Sequence, residues 1–143
     1  MSEVKFPGVV LRECVIGDHA AVASLWHGCG LHPSRSDTVE GLVRKLARDP
    51  ELFLLAVQDG ELVGTVLGSY DGRRGWINRL AVRSDWRGKG LADRLMAEVE
   101  RRLVVLGCEK VNLLIEPENG ALQAYYERLG YSVDPLIFME KWL

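Results

Sequence analysis

No apolar run in this chain reaches the roughly 18 residues that a membrane-spanning helix needs. The first residues, Met1-Ser2-Glu3-Val4-Lys5-Phe6-Pro7, lack the apolar centre of a secretory signal. Cysteine is scarce: Cys14, Cys29 and Cys108 are scattered and odd in number, so no disulfide framework is expected. A reducing, cytoplasmic setting is the expectation. Basic excess is absent as well. With 18 Lys and Arg against 20 Asp and Glu, the net charge is -2, which disfavours a dedicated nucleic-acid binder. What is present is globular composition, 48% hydrophobic and 27% charged over 143 residues, enough for one domain with a real core. We expect residues 1–7 to be a tail and residues 8–143 to form a single domain.

In chain order, Val9 to Val15 reads as a strand. Asp18 is placed to N-cap a helix carrying Ala21, Val22, Leu25 and Trp26 on one stripe, closed by Gly28 and Gly30. Asp37-Thr38-Val39-Glu40 resembles a capping box led by Asp37, ahead of a second helix that stops at Asp49-Pro50. Leu52–Val57 is a buried strand, Asp59-Gly60 a hairpin turn, and Glu61–Tyr70 the return strand. Asp71-Gly72 turns the chain into Gly75–Val82. The first half is thus an antiparallel meander. A long amphipathic helix runs from about Gly90 to Leu106, with Gly107 as its closing glycine. The strand after it, Lys110–Ile115, is parallel to the one before it by the crossover rule. Asn119 is expected to N-cap a short helix through Leu129. Tyr131–Val133 and Leu136–Leu143 read as closing strands.

The chemistry is concentrated in Leu80-Ala81-Val82-Arg83-Ser84-Asp85-Trp86-Arg87-Gly88-Lys89-Gly90-Leu91-Ala92. A glycine-rich turn that opens a helix presents backbone N–H groups with no helical acceptor, at the positive end of the helix dipole. That suits a phosphate or pyrophosphate. Gly88 and Gly90 let an anion approach the backbone, and Arg87 and Lys89 add charge. The dinucleotide fingerprint G-x-G-x-x-G fits only in its first two glycines, because Arg94 stands at the third. The P-loop spacing is absent. A purely structural turn is the plain alternative for Arg87–Ala92 taken alone.

Arg87-x-x-Gly90-x-Ala92, after a strand ending Leu80-Ala81-Val82, resembles the acetyl-coenzyme A signature [QR]-x-x-G-x-[GA] of the GNAT family of N-acetyltransferases. The segment Asn119-Gly120-Ala121-Leu122-Gln123-Ala124-Tyr125-Tyr126-Glu127-Arg128-Leu129-Gly130-Tyr131 resembles that family's N-x-x-A-x-x-[FY]-Y-x-x-x-G-[FY] stretch, with Leu122 where the usual alanine stands. The resemblance covers nearly the whole chain and looks closest to small bacterial single-domain members. It implies an α/β fold with a mixed, mostly antiparallel sheet, helices on both faces, and a central parallel strand pair that splays apart.

The resemblance further implies that acetyl-coenzyme A is the co-substrate and that no metal takes part. Its pantetheine arm would follow the backbone of Leu80, Ala81 and Val82. Its pyrophosphate would sit on the N–H groups of Arg87, Gly88, Lys89, Gly90, Leu91 and Ala92. Asn119 would lie near the pantetheine, and Tyr126 beside the sulfur as general acid. Core packing on a helical stripe is the plain reading of Tyr126, and N-capping that of Asn119. No glutamate stands where relatives carry a base: Asn78 and Arg79 occupy one such strand and Leu114 the other. Glu116 is a further candidate, or an ordered water serves. Trp26, His27, Arg35, Tyr70, Trp76 and Asn78 are candidates for the acceptor pocket, although packing explains Trp26, and cross-strand pairing Tyr70 and Trp76. His27, Cys29 and His32 lack a fourth ligand for a metal.

The expected activity is direct acetyl transfer to a primary amine of a small molecule or protein. A non-catalytic acyl-coenzyme A binding or sensing domain is the alternative. Nucleic acid and membrane are not expected partners. A homodimer is expected only from the habit of look-alikes.

Overall fold

The computed structural model describes residues 8–143; the expected tail, residues 1–7, lies outside the described residues. The fold runs β1 (Val9–Glu13), α1 (His19–Gly28), α2 (Val39–Arg48), β2 (Phe53–Gln58), β3 (Glu61–Tyr70), β4 (Gly75–Val82), α3 (Leu91–Val105), β5 (Val111–Leu113) and α4 (Leu122–Arg128). These elements fall into two compact units divided after Leu113.

In the first unit the five strands form one sheet in the order β1-β2-β3-β4-β5. The first three pairings are antiparallel and β4–β5 is parallel. The hairpin between β2 and β3 is the two-residue turn the sequence predicts. Asp59 and Gly60 both take positive φ, 50° and 80°, the conformation that suits the twist of the flanking strands. Alternation along β2 sends Phe53 and Leu55 into a cluster with Val22, Leu25 and Trp26 of α1 and Leu42 of α2. The opposite face receives α3 on a track of small residues. A Cβ on Gly64 would stand 3.0 Å from Leu95, one on Gly68 2.8 Å from Val99, and one on Gly75 3.2 Å from Leu103. Of the stripe that periodicity marks on this helix, Leu91, Leu95, Met96, Val99 and Leu103 are buried, whereas Leu106, just past the end of α3, is exposed.

Several local readings are corrected. Thr38, not Asp37, caps α2, with its hydroxyl accepting from Gly41 N–H at 3.0 Å. Asp37 is drawn away by Ser34 N–H and Arg79. The Asp18 carboxylate serves Arg12 and Val15 N–H and does not cap α1. β5 is three residues long, not six.

The second unit, Leu114–Leu143, contains a 3-10 turn over Pro117–Asn119 and then α4. Pro117 pre-sets that turn and Asn119 is absorbed into it, so Ala121 takes the N-cap position. Residues 131–143 hold no strand. Pro135 has no N–H to give to a ladder, and Leu136 N–H turns back onto the Asp134 carbonyl at 2.7 Å. The closing strands expected over Tyr131–Val133 and Leu136–Leu143 are therefore not formed. Among the described residues no helix is long and apolar enough to cross a membrane.

Candidate functional site

β4 is bent by one extra residue. Thr65 faces Ala81 and Leu67 faces Asn78, so one residue of β3, Val66, stands opposite two of β4, Arg79 and Leu80. The extra residue is absorbed at Arg79, whose φ of 52° lies in the left-handed region. Thr65 Oγ1 donates to the Arg79 carbonyl at 2.9 Å and itself accepts from Trp26 Nε1 at 2.9 Å. The Arg79 guanidinium lies 4.9 Å from the centre of the Trp26 ring. It donates to Asp37 Oδ2 at 2.7 Å and to the His32 carbonyl at 3.0 Å. The loop between α1 and α2 is therefore pinned to the bulge. No pattern in a single strand marks this, because a bulge is a mismatch between two strands.

β5 accompanies β4 only from Gly75 to Ile77. From Asn78 to Val82 that edge of β4 has no neighbouring strand among the described residues. This is the opening in which the sequence resemblance puts the pantetheine arm. Ala81 is buried, so what it can offer a ligand is backbone. Cys29 Sγ donates to the Val82 carbonyl at 3.6 Å from the end of α1.

After β4 a 3-10 turn, Ser84–Trp86, leads to the glycine-rich turn. Gly88 and Gly90 have φ of 75° and 87°, a left-handed conformation that glycine adopts without strain. Gly90 is the N-cap of α3 and brings no capping side chain. Among the described residues, the N–H groups of Gly88, Gly90, Leu91 and Ala92 have no protein acceptor, while the backbone turn over Arg87 and Gly88 draws Lys89 N–H inward. A helix N-terminus left this way binds anions. The Leu91 side chain is in the core, so its part too is backbone.

The local excess of positive charge is smaller than the sequence implies. Arg83 is held by Asp85 and Glu61. Arg94 donates to the Val9 carbonyl. Arg87 Nε donates to the Val82 carbonyl at 3.0 Å, and Lys89 Nζ lies 5.1 Å over the Trp86 ring. Both remain exposed beside the turn.

A cavity of about 160 Å³ opens between α1 and α2, over Phe53 and Leu67. Of the acceptor candidates, Trp26 and His27 line it, whereas Tyr70, Trp76, Asn78 and Arg35 do not. The Tyr70 hydroxyl lies toward Gly107, at the hairpin end of the sheet. Trp76 is on β4 opposite Ser69, and Asn78 is exposed beside the bulge. Asp37, Thr38 and Lys45 also line the cavity; the sequence marks the first two only as helix-capping residues and Lys45 not at all. Among the described residues, no group of three His, Cys, Asp or Glu is arranged to hold a metal ion.

In the second unit Tyr126 is buried on α4, edge-on to Tyr125 and Tyr131 with ring centres 5.2 and 5.8 Å away. Burial pushes its phenol pKa up, which keeps the proton on at neutral pH. Glu116 and Asn119 are exposed, and the Glu116 carbonyl accepts from Asn119 N–H at 2.9 Å.

Residues 20–131 match the family model described as the acetyltransferase (GNAT) family. An acetyltransferase of Pectobacterium atrosepticum is 40% identical over 126 residues, 88% of this chain and 89% of that one. One from Sodalis glossinidius is 38% identical over 122 residues, 85% of this chain and 86% of its own length. Among solved structures, the PaiA N-acetyltransferase of Thermoplasma acidophilum in complex with coenzyme A matches with a TM-score of 0.79 at 18% identity, covering 90% of this chain and 92% of that one. The enzyme AAC(6')-Iy in complex with a bisubstrate analogue, CoA-S-monomethyl-acetylneamine, matches with a TM-score of 0.75 at 22% identity, over 94% of this chain and 99% of that one. At these identities the structural likeness speaks for the fold, while the sequence relatives and the family model carry the assignment. The chain belongs to the GNAT family of acetyltransferases.

Proposed function

We propose that this protein transfers the acetyl group of acetyl-coenzyme A to a primary amine, as one domain over residues 8–143. The observation that carries the reading is the set of N–H groups of Gly88, Gly90, Leu91 and Ala92 without a protein acceptor, on a turn whose two left-handed positions are both glycine. A pyrophosphate fits that set, since it needs several donors converging at the positive end of a helix. The bare edge of β4 after Ile77 fits an extended, amide-bearing arm. Coenzyme A bound to the PaiA relative supports the same donor. The three free thiols suit a reducing, cytoplasmic setting.

Acetyl-coenzyme A supplies an activated thioester. The chain's part is to hold the donor, to stabilise negative charge on the carbonyl oxygen and to return a proton to sulfur. Backbone N–H groups of Leu80 to Val82 are proposed for the oxygen. Tyr126 is proposed for the proton on the strength of its motif, with its raised pKa in support. No side-chain base is assigned: Asn78 and Arg79 occupy the middle of the strand on which many relatives carry a glutamate, and Arg79 is engaged with Asp37.

That engaged arginine also favours a second reading, a domain that binds the acyl-coenzyme A without turning it over. Calorimetry with acetyl-coenzyme A tests what the two readings share. Binding is expected, and Gly90→Glu, which puts a carboxylate among the N–H groups, should abolish it. No binding at millimolar ligand would sink both. Release of free thiol in the presence of amines separates them. Tyr126→Phe should lower turnover roughly 10²-fold or more while sparing affinity for the donor.

A further inference from the structure

The cavity between α1 and α2 is not accounted for by donor binding. Its volume is about 160 Å³. Its walls include Val22, Trp26, Leu42, Phe53 and Leu67. Apolar protein cavities of roughly 150 Å³ take up benzene from water. The two charged side chains on its wall are already engaged. Asp37 is bonded by Arg79 and by Ser34 N–H. Lys45 Nζ donates to Asp49 at 3.0 Å, to the Gly68 carbonyl and to Ser69 Oγ at 3.2 Å. Burial lowers the Lys45 pKa, in keeping with an ammonium drawn under the surface. A polyhydroxylated, polycationic acceptor would find no spare carboxylate here. A ring or a branched alkyl group would find matching apolar surface.

The same wall leads to the bulge. The Trp26 indole donates to Thr65, and Thr65 donates to the carbonyl of Arg79. The Arg79 guanidinium lies 4.9 Å from the centre of that indole ring and holds the loop that forms the cavity's rim. A group in the cavity is therefore one side chain away from the bent stretch of β4.

We propose that the cavity is a specificity subsite for the acceptor, which is a primary amine carrying an apolar body of about the size of a benzene ring. This rests on the acetyl-transfer reading above. The amine reaches toward the β4 bulge while the ring lies against Trp26. Amine nitrogen forms the new bond to the acetyl carbon, the carbon–sulfur bond breaks, and the amine's proton leaves to solvent while sulfur gains one.

Phenethylamine and ethylamine are the probes. Saturation-transfer NMR with the coenzyme A-loaded protein should show phenethylamine ring protons in contact with it. In thiol-release assays kcat/KM for phenethylamine should exceed that for ethylamine by roughly tenfold or more. Ala23→Trp fills the mouth of the cavity from an exposed position on α1. It should erase that preference and leave acetyl-coenzyme A affinity unchanged. Equal kcat/KM for the two amines overturns the proposal, as does the absence of ring contact or a preference that survives Ala23→Trp. The wild-type comparison needs no variant to fold. Loss of acetyl-coenzyme A binding by the wild type would instead reject acetyl transfer, a distinct result.

Discussion

Arg79 holds a left-handed backbone that costs an L residue about 1–2 kcal/mol, and its side chain supplies the compensation through Asp37, the His32 carbonyl and the Trp26 ring. Two substitutions separate the two parts. Arg79→Gly removes the clamp and relieves the backbone, whereas Arg79→Ala removes the clamp and keeps the strain. Urea denaturation should find the glycine variant more stable than the alanine variant by about 1 kcal/mol. An alanine variant at least as stable would show that the bulge relaxes without its arginine. Residues at this scale were unevenly legible. Gly88 and Gly90 could be read from sequence because such a turn favours glycine and shows it. Arg79 could not, since nothing in its side chain announces a positive φ. Asp37 was recognised as a local cap and proved to be a long-range partner, 42 residues from the arginine it holds.

Among the elements, α3 depends most visibly on what it rests upon. Its buried stripe was plain from periodicity, but the reason it sits so close to the sheet lies in Gly64, Gly68 and Gly75 of the strands beneath. Gly68 is the tightest against α3. A methyl group there meets Val99 Cγ2 at 2.8 Å and the Leu52 carbonyl at 3.3 Å, so either the helix or β2's lead-in must shift. Gly68→Ala should cost about 1–3 kcal/mol by thermal or urea melting, although alanine suits a strand better than glycine does. An unchanged melting curve would mean that the helix is free to slide. Elements whose pairing is local, such as the Asp59-Gly60 hairpin, were readable at nearly residue precision. Elements defined by a distant neighbour were not. β5 is half its expected length because β4 turns away from it at the bulge. The apolar run Leu136-Ile137-Phe138-Met139 forms no strand.

On the scale of the whole molecule, one ionic junction ties α3 to the far edge of the sheet and contributes to stability in acid. Arg102 of α3 donates to Glu98 on its own helix, to Glu13 of β1 and to the carbonyl of Glu51 before β2. Arg101 closes the group from solvent at 2.7 Å from Glu98. Its hydrogen bond, helped by that of Arg102, holds the Glu98 pKa at about 2 against an ordinary 4.5. Between those values the unfolded chain binds a proton there that the folded chain does not, so stability rises with pH. The contribution is complete above about pH 4.5 and disappears as pH falls through about 2. Glu98→Gln should flatten that part of the stability profile and leave the rest unchanged. A profile identical to wild type between pH 2 and 4.5 would place the acid sensitivity elsewhere.

The thiol of Cys29, bonded to the Val82 carbonyl, gives the protein a reporter of its own. Cys14 and Cys108 are buried, and burial lifts the Cys14 pKa to about 12, so its reactive thiolate is scarce. Cys29 alone among the three is partly exposed. A maleimide or disulfide reagent should therefore modify one thiol quickly and two slowly. The label would stand at the end of the strand proposed to receive the donor. Protection of that single fast thiol by acetyl-coenzyme A, followed in an ordinary spectrophotometer, would report occupancy without radioactivity or an acceptor. A modification rate indifferent to saturating acetyl-coenzyme A would mean that the donor leaves Val82 uncovered.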